Sequence, residues 1–178
     1  MKERDIKLWQ FAGFGIVCLG GTLLHFLYDL SSGSPLVAPF SGVNESTWEH
    51  MKLLFYPLFL FAIVEWFFLR EEYPNFWCVK LRGTLLGLVL IPVIFYTYNG
   101  AFGKSPDWVN ISIFFICAGI VFLWETRAFT RGNIPCKSPK LAFFALCAVA
   151  VLFVIFTYSP PQIPLFLDPL TNTYGYQG

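Results

Sequence analysis

Long apolar segments separated by short polar stretches form the main pattern of this chain. Each segment is close to the ~20 residues that an α-helix needs to cross the hydrocarbon layer of a bilayer. They lie at about 8–30, 51–69, 83–99, 108–126 and 141–158. None shows the ten-residue alternation of a transmembrane β-strand, and backbone groups in lipid must bond internally. The pattern therefore predicts an all-α membrane protein, a bundle of five transmembrane helices.

Composition supports lipid as the surroundings of the chain. Of the 178 residues, 56% are hydrophobic and only 13% are charged, whereas a soluble domain is about 25% charged. The core of a soluble domain cannot bury this much apolar surface, so the sequence predicts the lipid bilayer as a partner. The net charge of +1, without a basic stretch interleaved with aromatic residues, predicts no nucleic-acid partner.

Basic residues are concentrated on one side of the predicted bundle. Ten of the twelve lysines and arginines precede the first segment or lie between segments two and three or four and five. The two exceptions are Lys52 and Lys104. Because cytoplasmic loops carry the excess of Lys and Arg, this asymmetry places the N-terminus in the cytoplasm and the C-terminus outside. Residues 1–158 then form a single transmembrane domain, and residues 159–178 form an ordered extracytoplasmic tail.

Both histidines of the chain belong to the outer ends of predicted helices. His25 and Asp29 lie one helical turn apart at the end of the first segment, and His50 begins the second. Two imidazoles with a carboxylate are an acceptable zinc ligand set that leaves one position open for water. One hypothesis is therefore a zinc site of His25, Asp29 and His50. Glu45 or Glu49 would then be the general base of a membrane-embedded hydrolase, although the spacing matches no recognised zinc motif.

The same outer cluster also fits two explanations without a metal. In the first, side chains at this level line a pocket for a small-molecule or lipid-borne ligand: Asn44, Tyr96, Tyr98 and Asp168. In the second, the polar residues are structural. Ser46 and Glu49 have the capping-box spacing, in which Ser46 accepts a backbone N–H and Glu49 reaches back. Asn44 is an alternative N-cap for the same helix.

Glu65 and Glu125 form a second set of ionisable groups, near the opposite face of the membrane. Glu65 is about 22 Å from His50 along a helix that rises ~1.5 Å per residue. Ionisable residues inside a span are costly and are functional suspects by default. We expect arginines near the cytoplasmic face to neutralise these inner carboxylates and to fix helix register. The alternative is a proton or ion path from the outer cluster, as in a transporter or a proton-coupled subunit.

The C-terminal segment after residue 158 differs from a disordered end. Its prolines stiffen the chain, while residues such as Ile163 and Phe166 are apolar and favour burial. We expect this tail to fold over the outer mouth of the bundle as a lid, with Asp168 or Tyr174 brought towards His25. The alternative is an aromatic anchor in the membrane interface.

The five cysteines are uninformative about a disulfide framework and do not predict a thiolate zinc site. Cys18, Cys117 and Cys147 fall inside apolar segments, where a thiol behaves as a small hydrophobic side chain. Cys78 and Cys136 lie in different connecting regions, and no CxxC pair occurs. Structural zinc sites, in contrast, use closely spaced cysteines.

Three stretches of the chain carry a family resemblance. They are Gly21-Thr-Leu-Leu-His-Phe-Leu-Tyr-Asp29, Asn44-Glu-Ser-Thr-Trp-Glu-His-Met-Lys52 and the tail with its Pro-Pro and Asp-Pro pairs. Together they resemble a family of uncharacterised small bacterial membrane proteins, over nearly the whole chain. The resemblance implies a multi-pass protein of the bacterial cytoplasmic membrane and brings no known activity. Three hypotheses stay open: an outward-facing pocket with or without hydrolysis, proton-coupled transport, and an accessory protein without a site.

Overall fold

The computed structural model describes residues 3–132 and 134–177. Within these ranges five long helices are all apolar enough to cross a membrane. They are α1 (Glu3–Leu30), α2 (Thr47–Leu69), α3 (Phe76–Phe102), α4 (Asp107–Arg131) and α5 (Pro139–Tyr158). The described residues contain no strand and one isolated bridge, between Leu167 and Tyr174. The prediction of an all-α bundle with five membrane-spanning helices is confirmed.

The helices begin before, or continue beyond, the apolar segments that predicted them. The largest extension is at α3, which begins at Phe76 rather than near residue 83 and therefore contains Lys80. A lysine interrupts an apolar segment in the sequence, yet Lys80 is only 1% exposed in the folded bundle. α4 likewise continues to Arg131, and Gly132 ends it with a positive φ of 65°. Glycine adopts that backbone conformation without steric cost.

The start of α2 is fixed by side chains of the preceding loop. Ser46 is the N-cap, and its hydroxyl accepts the backbone N–H of Glu49 at 3.3 Å. The backbone N–H of Ser46 donates to the side-chain oxygen of Asn44 at 2.9 Å. The Glu49 carboxylate accepts the backbone N–H of Val43 at 3.0 Å. The Ser46 N-cap is therefore confirmed, but Glu49 reaches Val43 rather than the N–H of Ser46 that a capping box uses.

The helices α1 to α4 pack in a closed ring, in which each contacts the next and α1 contacts α4. α5 lies outside this ring, against α3 and α2. α2 is the central helix, because 61% of the residues in its most apolar stretch are buried, compared with 22% in α1 and in α5. Large apolar side chains of the outer helices stay exposed, for example Phe11, Leu141 and Phe144. Such a surface is stable in lipid and prone to aggregate in water, which supports a membrane location.

The alternating direction of the helices creates two ends with different chemistry. The histidine end comprises the ends of α1, α3 and α5 and the starts of α2 and α4. The lysine end comprises the opposite termini, with Lys80 in its interior. The C-terminal tail packs on the histidine end. Its Phe166 ring lies 4.7 Å from the Trp48 ring, and its Tyr176 N–H donates to the Thr157 carbonyl at 2.8 Å.

A disulfide at the lysine end joins Cys78 and Cys136, whose Cα atoms are 5.7 Å apart. The sequence alone predicted no such bond, because the two cysteines are 58 residues apart and only the packing of the helices brings them together. The bond links the first turn of α3 to the connection between α4 and α5. A disulfide of this kind typically stabilises a fold by about 2–4 kcal/mol.

Candidate functional site

In the described part of the chain, two adjoining cavities open at the histidine end. The larger, about 440 Å³, lies between the end of α1 and the start of α4. The smaller, about 160 Å³, lies between the end of α3 and the start of α4. The two cavities share several lining residues: Glu45, His50, Asp107, Asn110, Phe114 and Leu170. Glu45 and His50 therefore lie at the boundary between them.

Glu45 lies between the two imidazoles of the chain. Its Oε1 atom is 3.9 Å from Nε2 of His25, and its Oε2 atom is 3.4 Å from Nε2 of His50. The centroids of the two imidazole rings are 5.7 Å apart. Side chains from α1, from α2 and from the loop between them thus meet at one point. Of the residues that the sequence grouped around the histidines, these three line the larger cavity.

A backbone contact limits how His50 can use its ring nitrogens. The Nδ1 atom lies 2.9 Å from the carbonyl oxygen of Ser46, one turn earlier in the chain. A carbonyl oxygen only accepts, so Nδ1 carries a proton in this contact. Nε2 then faces Glu45 either with a lone pair or as the N–H of an imidazolium. Glu45 and His50 therefore form an acid–base pair that can share one proton.

The negative charge of Glu45 is stabilised by its neighbours. The hydrogen bond from His50 is the main reason why the pKa of the Glu45 carboxyl lies below its ordinary value. Partial burial acts in the opposite direction, and Coulombic attraction to both imidazoles adds to the lowering of this pKa. Because 43% of the Glu45 side chain is exposed, solvent weakens these interactions. Glu45 is therefore an ionised and accessible carboxylate at neutral pH.

The walls of the larger cavity combine polar and apolar side chains. The polar ones include Thr22 and His25 of α1 and Asn110 of α4. Phe26 and Ile111 supply part of the apolar wall. Both of these residues are also exposed on the outside of the bundle, by 54% and 58%. The cavity therefore extends to the outer surface of α1 and α4.

Gly21 permits close packing of α1 beside the cavity. A Cβ atom at this position would lie 2.7 Å from the backbone oxygen of Leu53 and would clash with the ring of Phe114. Any larger residue would push α1 away from α2 and α4, because well-packed interiors have no room for an added methyl group. The glycine therefore helps to set the spacing of the helices that form the cavity.

Glu49, the second residue predicted as a general base, does not line either cavity. Its side chain is 1% exposed and forms an ion pair with Lys52 at 2.5 Å. Lys52 also donates to the carbonyl of Ala38 at 3.0 Å and to the hydroxyl of Thr157 at 2.9 Å. The three donors of its ammonium group thus have three acceptors. This cluster ties α2 to the preceding loop and to α5, which is a structural role.

Asn44 and Asp168, predicted as ligand-binding residues, form contacts within the protein. The Asn44 amide donates to the carbonyl of Gly175 at 3.2 Å and so attaches the tail. The Asp168 carboxylate accepts the N–H of Leu170 at 2.9 Å and the hydroxyl of Thr171 at 2.7 Å, within its own turn. Of the tail residues, Leu170 lines both cavities, whereas the lid was expected to contribute Asp168 or Tyr174.

Tyr96 and Tyr98, the other two predicted ligand-binding residues, lie near the end of α3. The hydroxyl of Tyr96 accepts a hydrogen bond from Thr47 at 3.4 Å, and Thr47 in turn lines the smaller cavity. The Tyr98 ring packs against Phe102 with centroids 5.2 Å apart. Neither tyrosine lines the two cavities.

The sequence placed Asp107 on the same side of the membrane, but the residues predicted for the outer site included none from α4. Asp107 and Asn110 are three residues apart in its first turn and line both cavities, together with Phe114 one turn further on. The Asn110 side-chain oxygen also accepts the hydroxyl of Ser105 at 2.7 Å, which holds the connection between α3 and α4. The available signal was the spacing of the two polar residues at the start of an apolar helix.

The described residues do not form a complete set of zinc ligands. Within residues 3–132 and 134–177, no group of three or more His, Cys, Asp or Glu side chains is arranged to hold a metal ion. Asp29, one of the three predicted ligands, is exposed and does not line the cavities. The other two, His25 and His50, are neighbours. Zinc at this site stays a prediction from the sequence.

At the lysine end, Lys80 binds both inner carboxylates. Its Nζ atom is 2.5 Å from Oε2 of Glu65 and 2.6 Å from Oε2 of Glu125. The amide of Gln10 donates to the other oxygen of Glu65 at 2.5 Å. The sequence pointed to several basic residues near the membrane face, whereas one buried lysine inside α3 supplies the charge. Neither glutamate lines the two cavities, so these cavities do not connect the two ends.

Comparison with known proteins assigns the chain to one family. The profile described as Family of unknown function (DUF6512) matches residues 1–176. The chain belongs to this family. No match was found among curated proteins or among solved structures. The resemblance to an uncharacterised family is thereby confirmed, and bacterial origin stays a prediction.

Proposed function

We propose that this member of the Family of unknown function (DUF6512) binds an amphiphilic molecule at the histidine end of the bundle. The observation that supports this most directly is the larger cavity, where Glu45, His25 and His50 share one volume with apolar side chains. The polar group of the ligand lies at the histidines and Glu45. Its hydrocarbon part lies between α1 and α4.

The size and surroundings of the cavity support such a ligand. Its volume of about 440 Å³ falls within the range of about 300–1,000 Å³ that is typical of small-molecule sites. Phe26 and Ile111 line the cavity and are also exposed on the outside of the bundle. In a membrane that surface faces lipid, so a molecule can enter sideways from the bilayer. An amphiphile gains from burial of its apolar part, which a fully polar ligand does not.

The polar part of the site has acid–base character. Glu45 offers an accessible carboxylate as an acceptor, and the imidazoles of His25 and His50 offer nitrogen atoms that donate or accept. A head group with both a hydroxyl or amine donor and an acidic oxygen matches this set. Glu45, whose carboxylate is ionised and accessible, is the group that would take a proton from water if the bound molecule is hydrolysed.

We also propose that the histidine end faces away from the cytoplasm. Lys52 and Lys80 are buried in ion pairs and do not contribute to the charge of the loops. Of the other basic residues, the sequence places nine at the lysine end and only Lys104 at the histidine end, which favours a cytoplasmic lysine end. The Cys78–Cys136 disulfide argues against this orientation, because disulfides are rare in reducing compartments.

Reporter fusions to the C-terminus test the orientation directly. Alkaline phosphatase, which folds only outside the cytoplasm, should be active in the fusion. Green fluorescent protein, which becomes fluorescent in the cytoplasm, should be dark when fused at the same point. The opposite pattern would contradict the proposed orientation and would agree with the position of the disulfide.

A single-chain lysophospholipid is a suitable probe for the proposed ligand site. We expect native mass spectrometry of the wild-type protein, released from detergent micelles, to show a mass increment of one retained lysophospholipid. Ile111→Trp fills the cavity and should abolish this retention. The matched control is Ile116→Trp, because Ile116 is a similarly exposed residue of α4 (52% against 58%) that does not line the cavity.

Glu45→Gln tests the polar part of the site separately. The amide keeps the shape of the side chain and removes the charge that faces His25 and His50. Affinity for the probe should fall about tenfold, which corresponds to a loss of about 1.4 kcal/mol. Equal retention in the wild type and in both Ile111→Trp and Glu45→Gln would contradict the proposal. A loss in Ile116→Trp as well would show that the probe binds only to the outer surface.

A further inference from the structure

The cluster around Lys80 contains more acid than base. Glu65 and Glu125 are 0% exposed and Lys80 is 1% exposed, and the ammonium group of Lys80 contacts both carboxylates. With every group ionised, the cluster would carry one uncompensated negative charge inside the bundle. An uncompensated charge is strongly unfavourable in an interior of low dielectric constant. One further positive charge would make the cluster neutral.

The neighbouring helices do not supply that charge. α1 contributes the neutral amide of Gln10, and α3 contributes Thr84, which is buried one turn after Lys80. Among the described residues at this end, the other basic side chains are exposed to solvent, including Arg4, Lys7, Arg70, Arg82 and Arg127. Of the remaining acidic side chains that are described here, Asp5 is half-buried and Glu71 and Glu72 are exposed.

Buried oxygen atoms without partners mark the same cluster. Within the part of the chain that the structure describes, Oε1 of Gln10, Oγ1 of Thr84 and Oε1 of Glu125 are buried and have no hydrogen-bond partner. Oε1 of Glu125 lies against Gly83, where a Cβ atom would clash with it. Protonation turns a carboxylate oxygen from an acceptor into a donor. A proton would thus provide both the missing charge and one donor within the cluster.

We propose that Glu65, Lys80 and Glu125 together bind one proton at neutral pH. One carboxylate takes up the proton from bulk solvent to form an O–H bond, and the other stays ionised beside the ammonium group of Lys80. The cluster then has no net charge. Loss of the proton changes the charge of the bundle interior by one unit. The lysine end is therefore a proton-binding site, separate from the ligand cavity at the histidine end.

Infrared spectroscopy of the full chain in lipid nanodiscs tests this proposal. A protonated carboxyl group has a C=O stretching band that is well separated from carboxylate bands and shifts in ²H₂O. We expect this band in the wild type at neutral pH, and its loss in both Glu65→Gln and Glu125→Gln. Each of these variants retains one carboxylate for one ammonium group. Glu71→Gln removes an exposed carboxylate and, as the matched control, should keep the band.

Three results would overturn the proposal. The first is a wild-type spectrum without the band, since both carboxyl groups would then be ionised. The second is a band that remains in both glutamine variants. The third is a band that appears only after sodium and potassium are removed, because a metal cation would then occupy the site. If either glutamine variant does not fold, the wild type alone decides the question, since its band should disappear reversibly as the pH is raised.

Discussion

Two buried lysines, one at each end of the bundle, form related contacts with different charge balance. Among the described residues, Lys52 is 0% exposed and Lys80 is 1% exposed, and each contacts a glutamate of α2. Lys52 has one carboxylate, one carbonyl and one hydroxyl as acceptors, so its cluster is neutral and its donors are satisfied. Oε1 of Glu49 is buried without a partner in the described part of the chain, so an unpaired oxygen is common to both clusters and charge balance is what differs. Lys80 contacts two carboxylates, and aromatic rings surround its ammonium group: Phe61, Phe76, Phe122 and Phe129.

The difference shows that burial and ion pairing do not by themselves identify a functional site. The Lys52 cluster holds the loop, α2 and α5 together beneath the histidine end, and its charges already cancel. The Lys80 cluster has a second carboxylate that no basic side chain among the described residues compensates. The balance of charge, rather than depth in the membrane, therefore separates the structural cluster from the proposed proton-binding site.

Lys80→Met should have the largest effect on stability. The variant leaves Glu65 and Glu125 buried without their cation, and breaking a buried ion pair in this way costs about 3–5 kcal/mol. Thermal unfolding in detergent micelles, followed by circular dichroism, measures the loss. Arg82→Met, which removes an exposed charge from the same helix, is the control. Equal midpoints for the two variants would contradict a central role of Lys80.

Removal of one carboxylate should destabilise the protein more at the Lys52 cluster than at the Lys80 cluster. Glu49→Gln leaves Lys52 as a buried cation without a counter-ion and should lower the free energy of unfolding by about 3 kcal/mol. Glu125→Gln leaves Lys80 paired with Glu65 and keeps an oxygen that accepts from its ammonium group, so the loss should be smaller, about 1 kcal/mol. The same unfolding assay compares the two variants directly. Similar losses in both would mean that the clusters do not differ in charge balance.

Glu45→Gln should have a smaller, pH-dependent effect at the histidine end. The pKa of Glu45 is lowered in the folded protein, so its contribution to stability is present at neutral pH and is lost as the pH falls through this lowered pKa. The contribution should stay below about 1 kcal/mol, because the side chain is 43% exposed. Unfolding at a series of pH values should show that the wild type is more stable than Glu45→Gln at neutral pH and loses this difference below about pH 4. An advantage that grows on acidification would contradict this assignment.

Treatment with EDTA should have the smallest effect. Glu45 itself lies between the two imidazoles, so retention of the lysophospholipid should not need a metal ion. Elemental analysis of the wild type, His25→Ala and His50→Ala accompanies the measurement. Stoichiometric zinc that disappears in both variants, together with loss of retention after EDTA, would instead support the zinc hypothesis.

The sequence predicted those features that depend on local pattern. The five apolar segments correspond to the five helices, and the Ser46 N-cap follows from the side chains around it. His25, Glu45 and His50 were grouped because helix direction places them at the same end of the bundle. Each of these inferences needs only the direction and approximate length of the helices.

The features that the sequence did not predict depend on how the helices rotate and pack. Because Lys80 interrupts an apolar stretch, the hydropathy pattern predicted that α3 begins near residue 83 and that Lys80 lies in a loop, whereas α3 begins at Phe76. The Cys78–Cys136 bond and the contribution of Asn110 require the relative positions of helices that are distant in the chain. Asp168 was assigned to the site by its type, but it stabilises its own turn.

The contact of Glu45 with both imidazoles is the basis of the proposed ligand site, and nitrogen NMR tests it most directly. The chain has two histidines, so ¹⁵N-histidine labelling gives signals from this site alone. We expect Glu45→Gln to shift the ring nitrogen signals of both His25 and His50, and added lysophospholipid to shift both in the wild type. Glu71→Gln should shift neither. If Glu45→Gln leaves either histidine unchanged, the three side chains do not form one site.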